Sequence, residues 1–373
     1  MISPKNFFNE LKKNNFVSYV GVPDSLLKSF CAYVQDHSHN HIIASNEGTA
    51  LAVATGQYLK SKQPSVVYLQ NSGIGNIINP LLSLNDKEVY SLPTLILIGW
   101  RGEPGVKDEP QHVKQGRVME ALLKSIEIDY EIMDKDSCYQ SIVNGASNFI
   151  KKYKKPYVIL IKKNTFAEYK LLKNDDGFKN KDFPKREDIL KKLLQLFEKK
   201  TLFISTTGVC SRELFEIRET LKDSHSNDFL TVGSMGHVSG IAQGICSLEK
   251  EKKIVCLDGD GSLIMHLGSL SLNFNVDAKN LIHIVINNSA HDSVGGQPTV
   301  ANKINFNYLS KSMGFNQYFE SKSISEVETK FQNIIKSPGP ILWQIFSKKG
   351  FRKDLGRPTI LPKDNVNDFM NNL

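Results

Sequence analysis

Two short polar segments, each closing an apolar run, stand at a spacing that suits metal-assisted phosphate binding. Asp258-Gly259-Asp260-Gly261-Ser262 follows the apolar stretch 253–257, and Asn287-Asn288 follows the apolar stretch 281–286. Residues 262–286, 25 positions, separate Gly261 from Asn287, which is room for one helix between two strands. Parallel strands joined in this way bring their C-terminal ends to the same sheet edge. A carboxylate and a carboxamide then converge beside a helix whose first free N–H groups follow Gly261. Hard oxygen donors next to a helix N-terminus suit Mg²⁺ holding a phosphate, because Mg²⁺ shares its octahedral shell with substrate phosphates.

Either segment alone reads as a tight turn. The alternation of Asp258 and Asp260 also invites comparison with a calcium loop. That reading fails, because the sharp glycine turn would fall on Leu263 and the bidentate glutamate on Ser269. Both segments together, each ending an apolar strand, carry the signal.

The elements that must position these residues follow one grammar. In the first half, 15–20 runs into Gly21-Val22-Pro23-Asp24, and 41–45 into Asn46-Glu47-Gly48. Then 65–69 runs into Asn71-Ser72-Gly73-Ile74-Gly75-Asn76, 94–98 into Gly99-Trp100-Arg101-Gly102, and 156–161 closes the set. Short strands apolar on both faces, each followed by a turn and a helical pattern, predict a doubly wound parallel α/β domain. Ligands of such sheets lie at the C-terminal strand ends, where these turns fall. The second half repeats the pattern with a helix from Arg186, a strand over 201–205, the turn Thr206-Thr207-Gly208, and the unit described above. The polar stretch with breakers at Gly177 and Pro184 predicts a linker over 169–184, between domains 1–168 and 185–373.

Composition narrows the class. The chain has 373 residues, 40% hydrophobic and 23% charged, ordinary for globular protein and enough for two domains. No signal peptide is legible at the N-terminus and apolar runs are strand-sized, so no membrane partner is expected. The five dispersed cysteines suggest reduced thiols in a cytoplasm rather than zinc or disulfides. Net charge is 47 − 39 = +8, but the lysines are scattered and no nucleic-acid motif appears. The general positive field suits anionic substrates.

Gly-Asp-Gly followed some 25 residues later by Asn-Asn resembles the diphosphate-binding signature of thiamine-diphosphate (ThDP) enzymes. The resemblance extends over nearly the whole chain. Gly21-Val22-Pro23-Asp24, Asn46-Glu47-Gly48-Thr49-Ala50, the stretch Arg101–Gly105 with Asp108–His112, and the stretch His291–Pro298 are similar to the phosphonopyruvate decarboxylases of that family. Sulfopyruvate decarboxylases, which share the two-domain layout, are also similar. The resemblance implies a pyrimidine-binding domain, a diphosphate-binding domain, and ThDP with Mg²⁺ as cofactors.

Carried over by position, Asp260, Asn288 and the Ala290 carbonyl would ligate Mg²⁺. Many ThDP enzymes place glycine where Ala290 stands, a small departure because the ligand is a main-chain oxygen. Gly261 and Ser262 would contact the diphosphate, with Thr207 and Gly208 as further candidates. Glu47 would hydrogen-bond N1′ of the aminopyrimidine and so assist loss of the thiazolium C2 proton; alone, it reads as an acid complementing a helix N-terminus. Met235 would wedge between the two rings, or simply pack in a core, and the Gly233 carbonyl would accept from the 4′-amino group.

The implied reaction is decarboxylation of 3-phosphonopyruvate to phosphonoacetaldehyde in phosphonate biosynthesis. Sulfopyruvate, another 2-oxo acid, or a non-catalytic ThDP-binding subunit are the alternatives. Arg101, Lys107 and His112 are candidates for the anionic group of the substrate, with Lys28 and a backbone nest at 73–75 behind them. The surface lysines equally read as solvated charge. Asp24 and His291 are proton-transfer candidates, although Asp24 also reads as the cap of a helix beginning at Ser25. Because family cofactors are enclosed by domains of different chains, a homo-oligomer with active sites at dimer interfaces is expected.

Overall fold

The computed structural model describes residues 1–172 and 182–373. The chain divides into two compact units, 1–174 and 175–373. Residues 173–181 of the linker expected over 169–184 lie outside the described residues.

The first unit runs α1 (Pro4–Lys13), β1 (Tyr19–Gly21), α2 (Lys28–His37), β2 (His41–Ile43), α3 (Glu47–Ser61), β3 (Val66–Gln70), α4 (Ile74–Leu81), β4 (Leu95–Gly99), α5 (Pro110–Arg117), α6 (Met119–Ser125), β5 (Asp129–Met133), α7 (Tyr139–Tyr153) and β6 (Tyr157–Ile161). Its six strands pair in parallel in the order β2-β1-β3-β4-β6-β5. β3 and β4 are buried along nearly their whole length, as strands covered by helices on both faces must be. On one face Phe7, Phe30, Tyr68, Leu95, Leu97 and Ile159 form a core, and on the other Leu51, Leu69, Ile77, Ile96, Ile98 and Leu160.

The second unit runs α8 (Arg186–Leu196), β7 (Leu202–Ser205), α9 (Val209–Leu221), β8 (Asp228–Leu230), α10 (Val238–Leu248), β9 (Ile254–Gly259), α11 (Asp260–Met265), β10 (Leu281–Asn287), α12 (Phe306–Ser312), β11 (Gln317–Ser321), α13 (Ile324–Ile334), β12 (Ile341–Phe346) and α14 (Pro362–Met370). Its parallel sheet has the order β11-β12-β10-β9-β7-β8. β9 and β10 are neighbours, with Val285 opposite Asp258 and Ile286 opposite Gly259. The two polar segments therefore do end side by side, as expected for a βαβ unit.

Several boundaries differ from the sequence expectation. β1 starts at Tyr19, not at residue 15, because Asn15 takes a left-handed φ of +67° at the end of α1 and Phe16 is buried ahead of the strand. The helix after β9 starts at Asp260 rather than beyond Gly261, with Gly259 at the capping position. The connection to β10 is not one helix but the six-residue α11 followed by a 3₁₀ stretch, Leu267–Phe274. The strand β5 is not legible in the sequence: it is an edge strand with Asp129 and Glu131 exposed, so it lacks the doubly apolar pattern.

Candidate functional site

In the second unit the site grows from the ends of β9 and β10. Asp260, 1% exposed, accepts from the Thr299 hydroxyl at Oδ2 and from the Asn288 N–H at Oδ1, 3.4 Å away. Burial pushes its carboxyl up to about 7, against the hydrogen bonds from Thr299 and Asn288. Buried among the described residues with hydroxyl and amide partners, this carboxylate is suited to a cation. Behind it, Asp258 accepts from the Gly259 N–H at 2.9 Å, and its other oxygen lies 3.5 Å from His283 Nε2.

The turn after β10 is sharp because Ser289 has φ +54° and is held by Asn287 Oδ1, which accepts from both its N–H and its hydroxyl. Asn288 Oδ1 accepts from the Ala290 N–H at 3.0 Å. Ala290 is absent from the positive-φ residues, so its backbone does not require glycine. The chain then doubles back: Ala290 bridges to Pro298, His291 N–H donates to the Gln297 carbonyl, and Thr299 N–H donates to the Ser289 carbonyl. The His291 ring lies against Gly261, whose Cβ would stand 3.0 Å from Nδ1. Burial holds that imidazole neutral, down to about 4.

A ring of donors lies beside this turn. Thr206 and Ser262 hydroxyls are 2.9 Å apart, and Ser262 also accepts from the Gly236 N–H at 3.1 Å. Thr207 Oγ1 accepts from the Gly233 N–H at 3.0 Å. Gly208, with φ +96°, opens α9 and has free space where a Cβ would be. Gly233, Ser234 and Gly236 all take positive φ, and the half-buried Met235 sits within this contorted loop. Gly236 has no alternative, since its Cβ would meet the His266 ring at 2.6 Å.

The first unit holds Glu47 at the start of α3, which Asn46 caps by accepting from the Thr49 N–H at 2.9 Å. Glu47 is buried and its Oε2 accepts from Asn76 Nδ2 at 2.6 Å. Gly73 leaves room for it, because a Cβ there would stand 2.4 Å from Oε1. The anion nest expected at 73–75 does not form: Gly73 and Ile74 have helical backbone leading into α4, and the Ile74 N–H donates to the Asn71 carbonyl. Asp24, fully buried, accepts at Oδ2 from the N–H groups of Leu26 and Leu27, at 2.8 and 3.0 Å. It caps the turn ahead of α2, which begins at Lys28 and not at Ser25. Its Oδ1 has no partner among the described residues, and burial pushes its carboxyl up to about 6, with the nearby N–H groups and Arg101 opposing.

The three basic candidates are not equivalent. Arg101 gives Nε and Nη2 to Asp108 and Nη1 to Ser25 Oγ at 2.8 Å, so its fork is already committed. Its backbone is clamped on both sides by the Asn71 amide. Lys107 is exposed and His112 is buried on α5, so the three do not present one cationic surface. The roles of Asn76, Thr206, Thr299 and Asp292 are not legible in the sequence. Asn76 lies inside a turn that the strand pattern marks, but nothing in its type or spacing announces that it meets Glu47.

Two models of the thiamine pyrophosphate enzyme family match: the N-terminal TPP binding domain over residues 5–123 and the C-terminal TPP binding domain over residues 207–345. The chain belongs to this family, as a decarboxylase within it. It is 28% identical to a phosphonopyruvate decarboxylase of Streptomyces hygroscopicus over 99% of this chain and 93% of that protein. With a phosphonopyruvate decarboxylase of Streptomyces viridochromogenes it shares 29% identity over 94% of this chain and 89% of that one. A sulfopyruvate decarboxylase subunit beta of Methanocaldococcus jannaschii is 36% identical over 41% of this chain and 78% of that subunit. No helix among the described residues is long and apolar enough to cross a membrane.

Proposed function

We propose that the protein decarboxylates 3-phosphonopyruvate to phosphonoacetaldehyde and CO₂, using ThDP and Mg²⁺, in phosphonate biosynthesis. The observation that carries the substrate is the likeness to phosphonopyruvate decarboxylases along 99% and 94% of the chain. The residues fit the cofactor: a buried carboxylate, an amide oxygen and a main-chain carbonyl make an all-oxygen set for Mg²⁺. Among the described residues no group of three His, Cys, Asp or Glu competes as a metal site.

When bound, ThDP supplies the carbon nucleophile and the electron sink for loss of CO₂. Asp260, Asn288 and the Ala290 carbonyl hold the metal; Thr207, Gly208, Gly261 and Ser262 hold the diphosphate. Glu47 holds its carboxylate for N1′, Met235 supports the two rings, and the Gly233 carbonyl accepts from the 4′-amino group. Asp24 keeps a proton up to about pH 6 and has an oxygen without a partner among the described residues to deliver it. The neutral imidazole of His291 is an acceptor rather than an acid at pH 7. Arg101 reaches the phosphonate only through N–H bonds left over from Asp108 and Ser25, with Lys107 and His112 as further contributors. The chain acts as a homo-oligomer with active sites at dimer interfaces, in the cytoplasm.

The competing reading is sulfopyruvate, favoured by the higher identity of the sulfopyruvate decarboxylase subunit beta. Assays of CO₂ release from phosphonopyruvate, sulfopyruvate and pyruvate, each with ThDP and Mg²⁺, decide between them. Phosphonopyruvate should be turned over fastest; preference for sulfopyruvate overturns the assignment.

A further inference from the structure

The Asn288 amide has two ends, and only one can face a cation. Its Nδ2 donates to Asp292 Oδ2 at 2.6 Å. A carboxylate only accepts, so the NH₂ end must meet Asp292 and the carbonyl oxygen must turn away from it. That oxygen lies in the turn whose N–H reaches Asp260.

Asp292 is fixed in turn from two distant parts of the second unit. The Gly350 N–H donates to the same Oδ2 at 2.9 Å, and Arg186 Nη1 lies 3.5 Å from it. Arg186 grips Glu213 through Nε at 2.7 Å and Nη2 at 3.2 Å. Arg186 and Glu213 are 8% and 2% exposed, so neither side chain is free to move with solvent. The network holds one cation and two carboxylates, a formal charge of −1 behind Asn288. A divalent cation on the far side of the amide would offset it.

We propose that Asp292, held by Arg186 and Gly350, is a positioning residue that determines which end of the Asn288 amide faces the metal. This rests on the reading of Asn288 and Asp260 as Mg²⁺ ligands. Asp292→Asn keeps the shape but offers an NH₂ group of its own, so the Asn288 amide is no longer forced into one orientation. Groups that orient metal ligands from behind typically affect metal affinity by roughly ten- to a hundredfold. Mere structural glue would not act on metal affinity selectively.

The test is a Mg²⁺ titration of ThDP binding by calorimetry on the full chain, with melting curves of each variant. Asp292→Asn should raise the Mg²⁺ half-saturation by roughly ten- to a hundredfold, while saturating Mg²⁺ restores ThDP affinity to within about threefold. Unchanged half-saturation overturns the proposal. So does a loss of ThDP affinity that extra Mg²⁺ cannot restore, which would mark Asp292 as structural. Should Asp292→Asn fail to fold, Arg186→Lys decides: it keeps the cation but loses the fork, and a shift of roughly three- to tenfold is expected, against none. Asp260→Ala separates the two levels. If it binds ThDP with the wild-type Mg²⁺ dependence, the metal reading itself is wrong, whatever Asp292→Asn does.

Discussion

Asn76 Nδ2 donates to Glu47 Oε2 at 2.6 Å, across the junction where α3 and α4 begin. The bond leaves Oε1 lying over the Gly73 backbone, in space that no other residue type would leave open. Glu47→Gln should therefore keep cofactor binding while slowing hydrogen–deuterium exchange at C2 of bound ThDP by about 10²–10⁴-fold. Gly73→Ala should have a similar effect, because its methyl would displace the carboxylate. Wild-type exchange in Glu47→Gln would reduce Glu47 to a helix-terminal acid.

Metal removal gives a separate readout. Treatment with EDTA followed by desalting should abolish activity, and ThDP with Mg²⁺ should restore it, because on the proposed reading Asp260 and Asn288 would hold the diphosphate through a divalent ion. Asp260→Ala should lose metal-dependent ThDP binding. Full affinity in that variant would refute the ligand assignment.

Asp24 makes a pH prediction of definite sign. Its folded carboxyl is raised to about 6 from an ordinary value of 3.8, chiefly by burial. The folded state thus holds the proton more tightly than the unfolded one. The contribution to stability is fully present below about pH 4 and is lost as pH rises through about 6. The loss is at most about 3 kcal/mol. Asp24→Asn, which still accepts from Leu26 and Leu27, should change melting little at pH 4 and raise the Tm at pH 8 by several degrees. If the group also delivers the proton, kcat in the wild type should fall above about pH 6 and that limb should vanish in the variant.

Arg101 tests specificity against scaffolding. A charge-assisted contact contributes about 1.5–3 kcal/mol, so Arg101→Ala should lower kcat/KM for phosphonopyruvate by roughly ten- to a hundredfold. Pyruvate, lacking the phosphonate, should be turned over equally poorly by both proteins. Equal loss on both substrates, with a lower Tm, would show that Arg101 serves mainly to anchor Asp108 and Ser25.

Subunit complementation tests the oligomer. Mixed Glu47→Gln and Asp260→Ala chains, allowed to exchange, should recover part of the activity that each lacks. A fully active monomer, or proven exchange without recovery, would contradict shared sites.

The sequence by itself determined the α/β class and the strand ends that matter. Periodicity is local, and apolar runs as short as those at 94–98 and 281–286, each followed by a turn signal, read as buried parallel strands rather than helices. The fixed spacing from Asp260 to Asn288 likewise survives any detail of packing, since one crossover places both at a single edge. What the tertiary structure alone decided is which groups hold those residues. Asn76 meets Glu47 from 29 positions away, Thr299 meets Asp260 from 39, and Gly350 meets Asp292 from 58. Arg101 shows the same limit in reverse: its type and position suggest a free guanidinium, whereas the fold gives its fork to Asp108 and Ser25. Hydrogen bonds between residues distant in sequence leave no periodic trace, because their geometry is set by how strands and turns pack in space.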